Sequence, residues 1–146
     1  MSTQKINFVS PDEAVRLIES GDHVYIQGST SIPEVLCEAL ARRGNELKDV
    51  TLYSAFAVAK GPAPYCKPEF KDTFLVNSFF VSNSVRKWIA EGYGVTTPRF
   101  LGEVPELFRD GTCRVDVALI NCSEPDEEGY VSFGISADLA TSAVEC

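Results

Sequence analysis

Histidine is almost missing from this sequence: His23 is the only one among 146 residues. That excludes a zinc centre built on several imidazoles. A Ser-His-Asp triad would hang on one residue inside an expected strand, with no identifiable partner. Paired cysteines are missing too. Cys37, Cys66, Cys113, Cys122 and Cys146 are odd in number and form no Cys-x-x-Cys spacing. With no signal-peptide pattern at the N-terminus, they fit a reduced, cytoplasmic protein better than a disulfide framework. No apolar run approaches the roughly 20 residues that a membrane-spanning helix needs. Basic side chains are the scarcer sign, 13 against 21 acidic, which leaves a net charge of −8. Such a chain is a poor partner for nucleic acid or an anionic membrane. It still suits a small anion, which backbone N–H groups and one or two cations can hold. Neither G-x-G-x-x-G nor the lysine-bearing P-loop occurs, and there is no internal repeat, low-complexity tract or linker.

What is present alternates. Ser10-Pro11-Asp12-Glu13 is a helix start with a cap and a capping box, and Gly21 is its stop. Residues 23–27 read as a strand that runs into Gly28-Ser29-Thr30-Ser31. Pro33 then opens a second helix, ended by Gly44. Residues 50–54 are the next strand, 55–68 an irregular loop holding three prolines in its last seven residues, and 74–76 a third strand. Asn83 is the expected cap of a helix over 84–91 that carries Val85, Trp88 and Ile89. Residues 97–101 fit no one class, 104–109 read as a short helix, 115–120 as the best strand, and 136–144 as a final helix with Ser136 as its cap. Strands alternating with helices give an α/β fold with a mostly parallel sheet flanked by helices.

The stretch most suggestive of function follows the best strand. Residues 121–129, Asn-Cys-Ser-Glu-Pro-Asp-Glu-Glu-Gly, form a polar turn, and residues 130–133 are apolar again. In α/β folds a ligand site sits beyond the carboxyl ends of the strands. Glu124, Asp126, Glu127 and Glu128 have the chemistry of a base or a nucleophile. Adjacent acids before glycine usually face water, however, and Asp126 fits an Asx-type turn that binds backbone N–H groups. The Gly28–Ser31 segment has the amides for an anion cradle at a helix start, but an ordinary turn plus cap explains it as well. Arg86 and Lys87 read as surface cations, Trp88 as core, and Cys122 as a buried, inert thiol.

Four segments resemble the acetyl-CoA hydrolase/transferase family of CoA-transferases, which includes 4-hydroxybutyrate CoA-transferase. They are residues 12–24, 47–53, 79–98 and 116–136, the last similar to the family's Ser-Pro-Pro-Asp-x-x-Gly-Tyr loop. The resemblance implies the first of two related α/β domains, with residues 1–146 an N-terminal fragment that ends inside a helix. It implies a nucleophilic glutamate in the second domain, so no catalytic residue lies in this chain and the chain alone would be inactive. It implies a cleft wall made of Gly28, Ser29, Asn83, Ser123, Pro125, Asp126, Gly129 and Tyr130. Glu124 stands where the family usually has its first proline, and Gly28 where some 4-hydroxybutyrate enzymes have a histidine. The ligands implied are acyl-CoA and a short-chain carboxylate such as acetate, butyrate or 4-hydroxybutyrate. Coenzyme A enters as substrate, with no permanently bound cofactor and no metal. The missing domain is the implied partner, and a homodimer is compatible. Acyl-CoA hydrolysis is the alternative reaction, and a non-catalytic binding or assembly module the alternative role.

Overall fold

In the computed structural model, residues 7–146 are described; part of the N-terminal stretch on which the leader reading rests lies outside them. Five strands form one sheet: β1 (His23–Ile26), β2 (Val50–Ser54), β3 (Phe74–Ser78), β4 (Gly94–Thr96) and β5 (Val117–Leu119). Every pairing is parallel, in the order β4-β3-β2-β1-β5. The helices are α1 (Pro11–Ala14), α2 (Glu34–Arg42), α3 (Asn83–Ala90), α4 (Val104–Arg109) and α5 (Ala140–Val144).

Strand alternation builds the layers. Successive side chains point to opposite faces, so Val24 and Ile26 enter one apolar cluster while Tyr25 enters another. Leu52 and Tyr53 divide in the same way. The first cluster collects Leu40 of α2 and Val85 and Trp88 of α3. The second collects Leu107 and Phe108 of α4 with Ala140 and Ala143 of α5. Its aromatic centre is edge-on: Phe108 meets the rings of Tyr25, Tyr53 and Phe79 at 5.7–6.1 Å. Helices thus cover both faces, as a parallel sheet requires.

The first helix starts as its residues dictate: the Glu13 N–H donates to Ser10 Oγ, 3.3 Å. It is shorter than expected, passing into a 3-10 turn over Val15–Leu17, with Gly21 beyond its end. The Arg43 guanidinium donates to the Val15 and Ile18 carbonyls and ties off that end. Three other boundaries are corrected. Ser82, not Asn83, is the residue before α3, and its Oγ bonds Ser84 Oγ without capping a backbone N–H. The last helix begins at Ala140; Ser136 instead gives its N–H to Ser31 Oγ, 3.2 Å. The apolar run at 115–120 yields only the three residues of β5, which among the described residues is an edge strand paired with β1 alone. β4 is the opposite edge, short and opened by a glycine that packs on Val76 of β3, too slight a pattern to be read as a strand.

The side-chain readings fare unevenly. Trp88 is buried and packs on Tyr93 at 4.7 Å. Lys87 lies on the surface with Glu91, 3.7 Å away. His23 does have a partner, since its Nδ1 lies 2.8 Å from the Tyr53 hydroxyl. Cys122 is exposed, not buried, as is Cys146. Burial pushes the Cys37 and Cys66 thiols up to about 12 and raises Cys113 as well. Reactivity follows the thiolate, so an aromatic disulfide reagent at pH 8 is expected to titrate Cys122 and Cys146 quickly and the other three only after denaturation. Mass mapping of the first modified peptides checks this; fast labelling of Cys37 would contradict it.

Candidate functional site

The chain lays down β1, β2, β3 and β4 in one direction, then crosses back to place β5 on the far side of β1. Strand order therefore reverses between β1 and β5, and the crevice beyond their carboxyl ends is where such sheets receive ligands. Three segments meet there: residues 27–31 after β1, residues 56–58 after β2, and residues 136–138 downstream of β5.

Gln27 joins them. It is fully buried, yet every polar group of its side chain is used. Its Oε1 accepts the Asn121 N–H, 2.7 Å, and its Nε2 donates to the Ser136 carbonyl, 2.7 Å. Its backbone N–H continues the ladder to Leu119. Both ends of the loop from Asn121 to Ser136 are thus pinned to the end of β1. A buried amide with both its oxygen and its nitrogen hydrogen-bonded is what such a junction needs.

Gly28 and Ser29 are held equally firmly. The Gly28 N–H donates to Asp138 Oδ2, 3.1 Å. The Ser29 N–H donates to the Phe56 carbonyl, and the Ser29 carbonyl accepts the Val58 N–H, 3.0 Å. The Ser31 N–H returns to the Gly28 carbonyl. These amides are already engaged, so the segment is a braced turn and not an anion cradle. Ser29 sits in the left-handed region at φ +54, and Asp138 at φ +48. Backbone of that kind persists only where the surroundings fix it. A Cβ on Gly28 would collide with the Phe56 carbonyl oxygen and lie 2.7 Å from Asp138 Oδ2.

Ser29 and Asp138 line a cavity of about 330 Å³ with Phe56, Phe79, Arg99 and Val104. Asn83 lines a neighbouring one of about 290 Å³ with Arg86. Phe56 and Phe80 border both cavities, their rings 5.2 Å apart and edge-on. The site thus combines apolar walls with two exposed guanidinium groups, a setting for a small molecule with an apolar part and a nearby anionic group. A larger hollow of about 500 Å³ lies between α2 and residues 57–65 of the proline-bearing loop, edged by Glu34, Glu38 and Lys60; it borders none of the eight cleft-wall residues named from the sequence. Among the described residues, no three His, Cys, Asp or Glu side chains gather as a metal site would require.

Residues 123–132 make a separate exposed hairpin. The Ser123 N–H donates to the Ser132 carbonyl, 2.8 Å, and the Ser132 N–H to Ser123 Oγ, 2.9 Å. Asp126 Oδ1 accepts the N–H groups of Glu128, 3.0 Å, and Tyr130, 2.8 Å. Gly129 supplies the left-handed corner at φ +87. Asp126 has the Asx-type role expected of it, and Glu127 and Glu128 face water. The apolar segment 130–133 forms no strand, and Tyr130 is 70% exposed. Ser123, Pro125, Asp126, Gly129 and Tyr130 border neither cavity; Gln27 links their loop to Gly28 and Ser29 only through its roots. Replacing Asp126 with alanine is expected to abolish hydrogen-exchange protection at the Glu128 and Tyr130 amides while lowering global stability by less than about 1.5 kcal/mol, since the hairpin is exposed. Retained protection would show that the carboxylate does not hold the turn.

The sequence pointed to Gly28 and Ser29 but not to Gln27 or Asp138. Gln27 read as a strand terminus, and Asp138 as one residue in the first turn of a helix over 136–144. Asp138 is half-buried. Desolvation raises its pKa above the usual carboxylate value, against the lowering effect of the Gly28, Leu139 and Tyr25 donors. Burial, and then the Asp138 charge, raise the Tyr25 hydroxyl well above its usual value. The Tyr25 hydroxyl donates to Asp138 Oδ2 at a long 3.4 Å.

Comparison with known proteins agrees with this architecture. The family model of the acetyl-CoA hydrolase/transferase N-terminal domain matches residues 3–146. The 4-hydroxybutyrate coenzyme A transferase of Clostridium kluyveri is 36% identical over 141 residues, 97% of this chain and 32% of that protein. The succinyl-CoA:acetate/propanoyl-CoA:succinate CoA transferase of Fasciola hepatica is 35% identical over 136 residues, 92% of this chain and 28% of that protein. Among solved structures, a 4-hydroxybutyrate CoA-transferase from Porphyromonas gingivalis superposes with a TM-score of 0.73 at 30% identity, over 94% of this chain and 30% of that one. RipA from Yersinia pestis, at 24% identity, shares the fold with a TM-score of 0.77 over 92% of this chain and 33% of that one. The chain spans about a third of the length of the curated relatives it matches.

Proposed function

The chain belongs to the acetyl-CoA hydrolase/transferase family, in its N-terminal domain, and from that premise we propose that it forms one wall of the substrate cleft of a CoA-transferase. The observation that carries the reading is the family match along nearly the whole chain. The switch-point crevice between β1 and β5 supports it, being where this topology receives a ligand. The substrates are a short-chain acyl-CoA and a carboxylate such as acetate, butyrate or 4-hydroxybutyrate.

The proposed chemistry is covalent exchange through a glutamate of a second domain. Its carboxylate attacks the thioester carbonyl and expels CoA thiolate, giving a mixed anhydride. The thiolate then attacks the glutamyl carbonyl, forming glutamyl-CoA and releasing the first carboxylate. An incoming carboxylate attacks the same carbonyl, again freeing thiolate. The thiolate takes the new acyl group, and the glutamate carboxylate is regenerated. No acid of this chain is asked to act as nucleophile: Glu127 and Glu128 face water and Asp126 holds a turn. The residues here bind and exclude water. The braced Gly28–Ser29 turn and Phe56 wall the acyl end of the cleft, while Asn83 and Arg86 border the adjoining space. The 146-residue chain alone is therefore expected to show no turnover.

The test is to incubate the complete gene product with butyryl-CoA and labelled acetate, following total thioester and label in acetyl-CoA. Transfer predicts label gain with total thioester conserved. Thioester loss independent of acetate would replace transfer with hydrolysis, and the absence of both would refute the family's chemistry here.

A further inference from the structure

We propose that Asp138 is a positioning residue of this crevice: its carboxylate clamps the Gly28 N–H and thereby sets where Ser29 and the cavity wall stand. The link to catalysis rests on the proposed transferase reading; the clamp itself does not.

Four observations converge on it. Asp138 reaches from beyond β5 to the end of β1, a separation of 110 residues, and accepts the Gly28 N–H at 3.1 Å. Gly28 fits Asp138 as a complement, since a Cβ there would lie 2.7 Å from the carboxylate oxygen. Asp138 and Ser29 both occupy left-handed backbone, which non-glycine residues rarely adopt without constraint. Both line the same cavity of about 330 Å³. Among the described residues, no ion pair offsets the cost of placing this carboxylate in a half-buried position. The groups facing it are the Tyr25 hydroxyl of β1 and the Gly28 and Leu139 amides; the other ionisable group on the cavity is the exposed Arg99, between β4 and α4. A carboxylate kept there without a salt bridge to any described residue, and spent on the Gly28 amide, the adjoining Leu139 amide and one hydroxyl, is placed to hold the turn.

Desolvation raises the Asp138 pKa, so the clamp has a pH signature. Above that pKa the charged oxygen accepts strongly. As pH falls through it, protonation weakens the acceptor and the Gly28 bond loosens. The sign for stability is the reverse. A carboxylate whose folded pKa is raised binds protons more tightly when folded, so its contribution falls as pH rises from the unfolded value through the folded one. Clamping and stability are thus opposed at this residue.

Two variants separate the clamp from folding. Asp138→Gly removes the acceptor while suiting the left-handed backbone. Asp138→Asn keeps a neutral acceptor and also tolerates that backbone. In ¹H–¹⁵N spectra of this chain, the Gly28 amide is expected to titrate with a midpoint above the ordinary Asp value in the wild type and to lose that step in both variants. Gly28 exchange protection is expected to fall about tenfold in Asp138→Gly, the equivalent of one ordinary hydrogen bond, and to be partly restored in Asp138→Asn, whose neutral oxygen accepts less strongly than the carboxylate. A Gly28 amide that neither titrates nor responds to Asp138→Gly overturns the clamp. In the complete gene product, Asp138→Gly is expected to raise KM for the carboxylate several-fold, with a smaller change in kcat, and Asp138→Asn to restore it. An active wild type with an unchanged KM in Asp138→Gly overturns the role in catalysis. A wild type inactive in exchange refutes the functional reading, and the amide data still decide the clamp.

Discussion

Gln27→Leu is expected to lower the unfolding free energy by about 2–4 kcal/mol, although leucine nearly matches the size of glutamine and the site is fully buried. The cost is polar. The variant leaves the Asn121 N–H and the Ser136 carbonyl without their 2.7 Å partners, and an abandoned group in a part-buried setting costs about 1–3 kcal/mol. Both lost bonds pin the loop from Asn121 to Ser136, so its amides should lose exchange protection before the core does. Gln27→Glu sharpens the prediction. A protonated glutamic acid presents one carbonyl oxygen to Asn121 and one O–H to Ser136, reproducing the glutamine pattern. Its ionised form turns a charged oxygen toward the Ser136 carbonyl in a dry site. The folded pKa of this residue is then raised, so the variant should approach wild-type stability in mild acid and lose it as pH rises toward neutrality. Denaturant unfolding of wild type and variant in parallel across pH isolates that difference; a gap independent of pH would show that the residue acts through volume alone.

The second large effect belongs to Gly28→Ala. The added methyl meets the Phe56 carbonyl oxygen, which is backbone, and Asp138 Oδ2 at 2.7 Å. Backbone cannot swing aside as a surface side chain would, so the loops after β1 and β2 must separate. Overpacking of this kind costs about 1–3 kcal/mol. The damage is local as well as global, because the same shift breaks the Gly28–Asp138 and Ser29–Phe56 bonds. Differential scanning calorimetry should show a lower Tm, and exchange activity in the complete gene product should fall by more than the loss of folded protein explains. Wild-type stability and activity in Gly28→Ala would contradict the packing at this turn.

These residues also show how far the sequence could be read. The helix start at Ser10, the strand at residues 50–54 and the helix at 104–109 were legible because each is specified locally, by a cap, an apolar run or an early proline. The family loop was legible as a motif, and Asp126 as its internal fastener. Asn83 and Ser136 were misread as caps because a capping residue type is common, whereas its use depends on where the chain turns. The apolar run at 115–120 read as the best strand and became a three-residue edge, because apolar content reports burial and not position in the sheet. Gln27 and Asp138 were invisible for a different reason. Their partners lie 94 and 110 residues away in sequence, and only the return of β5 to the side of β1 brings them together.

The central claim is that these residues shape a cleft while the covalent chemistry belongs elsewhere in the complete protein. The most direct measurement is to incubate the complete gene product with acyl-CoA, trap the enzyme thioester with hydroxylamine and locate the modified residue by mass spectrometry. The account predicts a hydroxamate on one glutamate outside residues 1–146. Modification of Glu124, Asp126, Glu127, Glu128 or any other acid within them would contradict it.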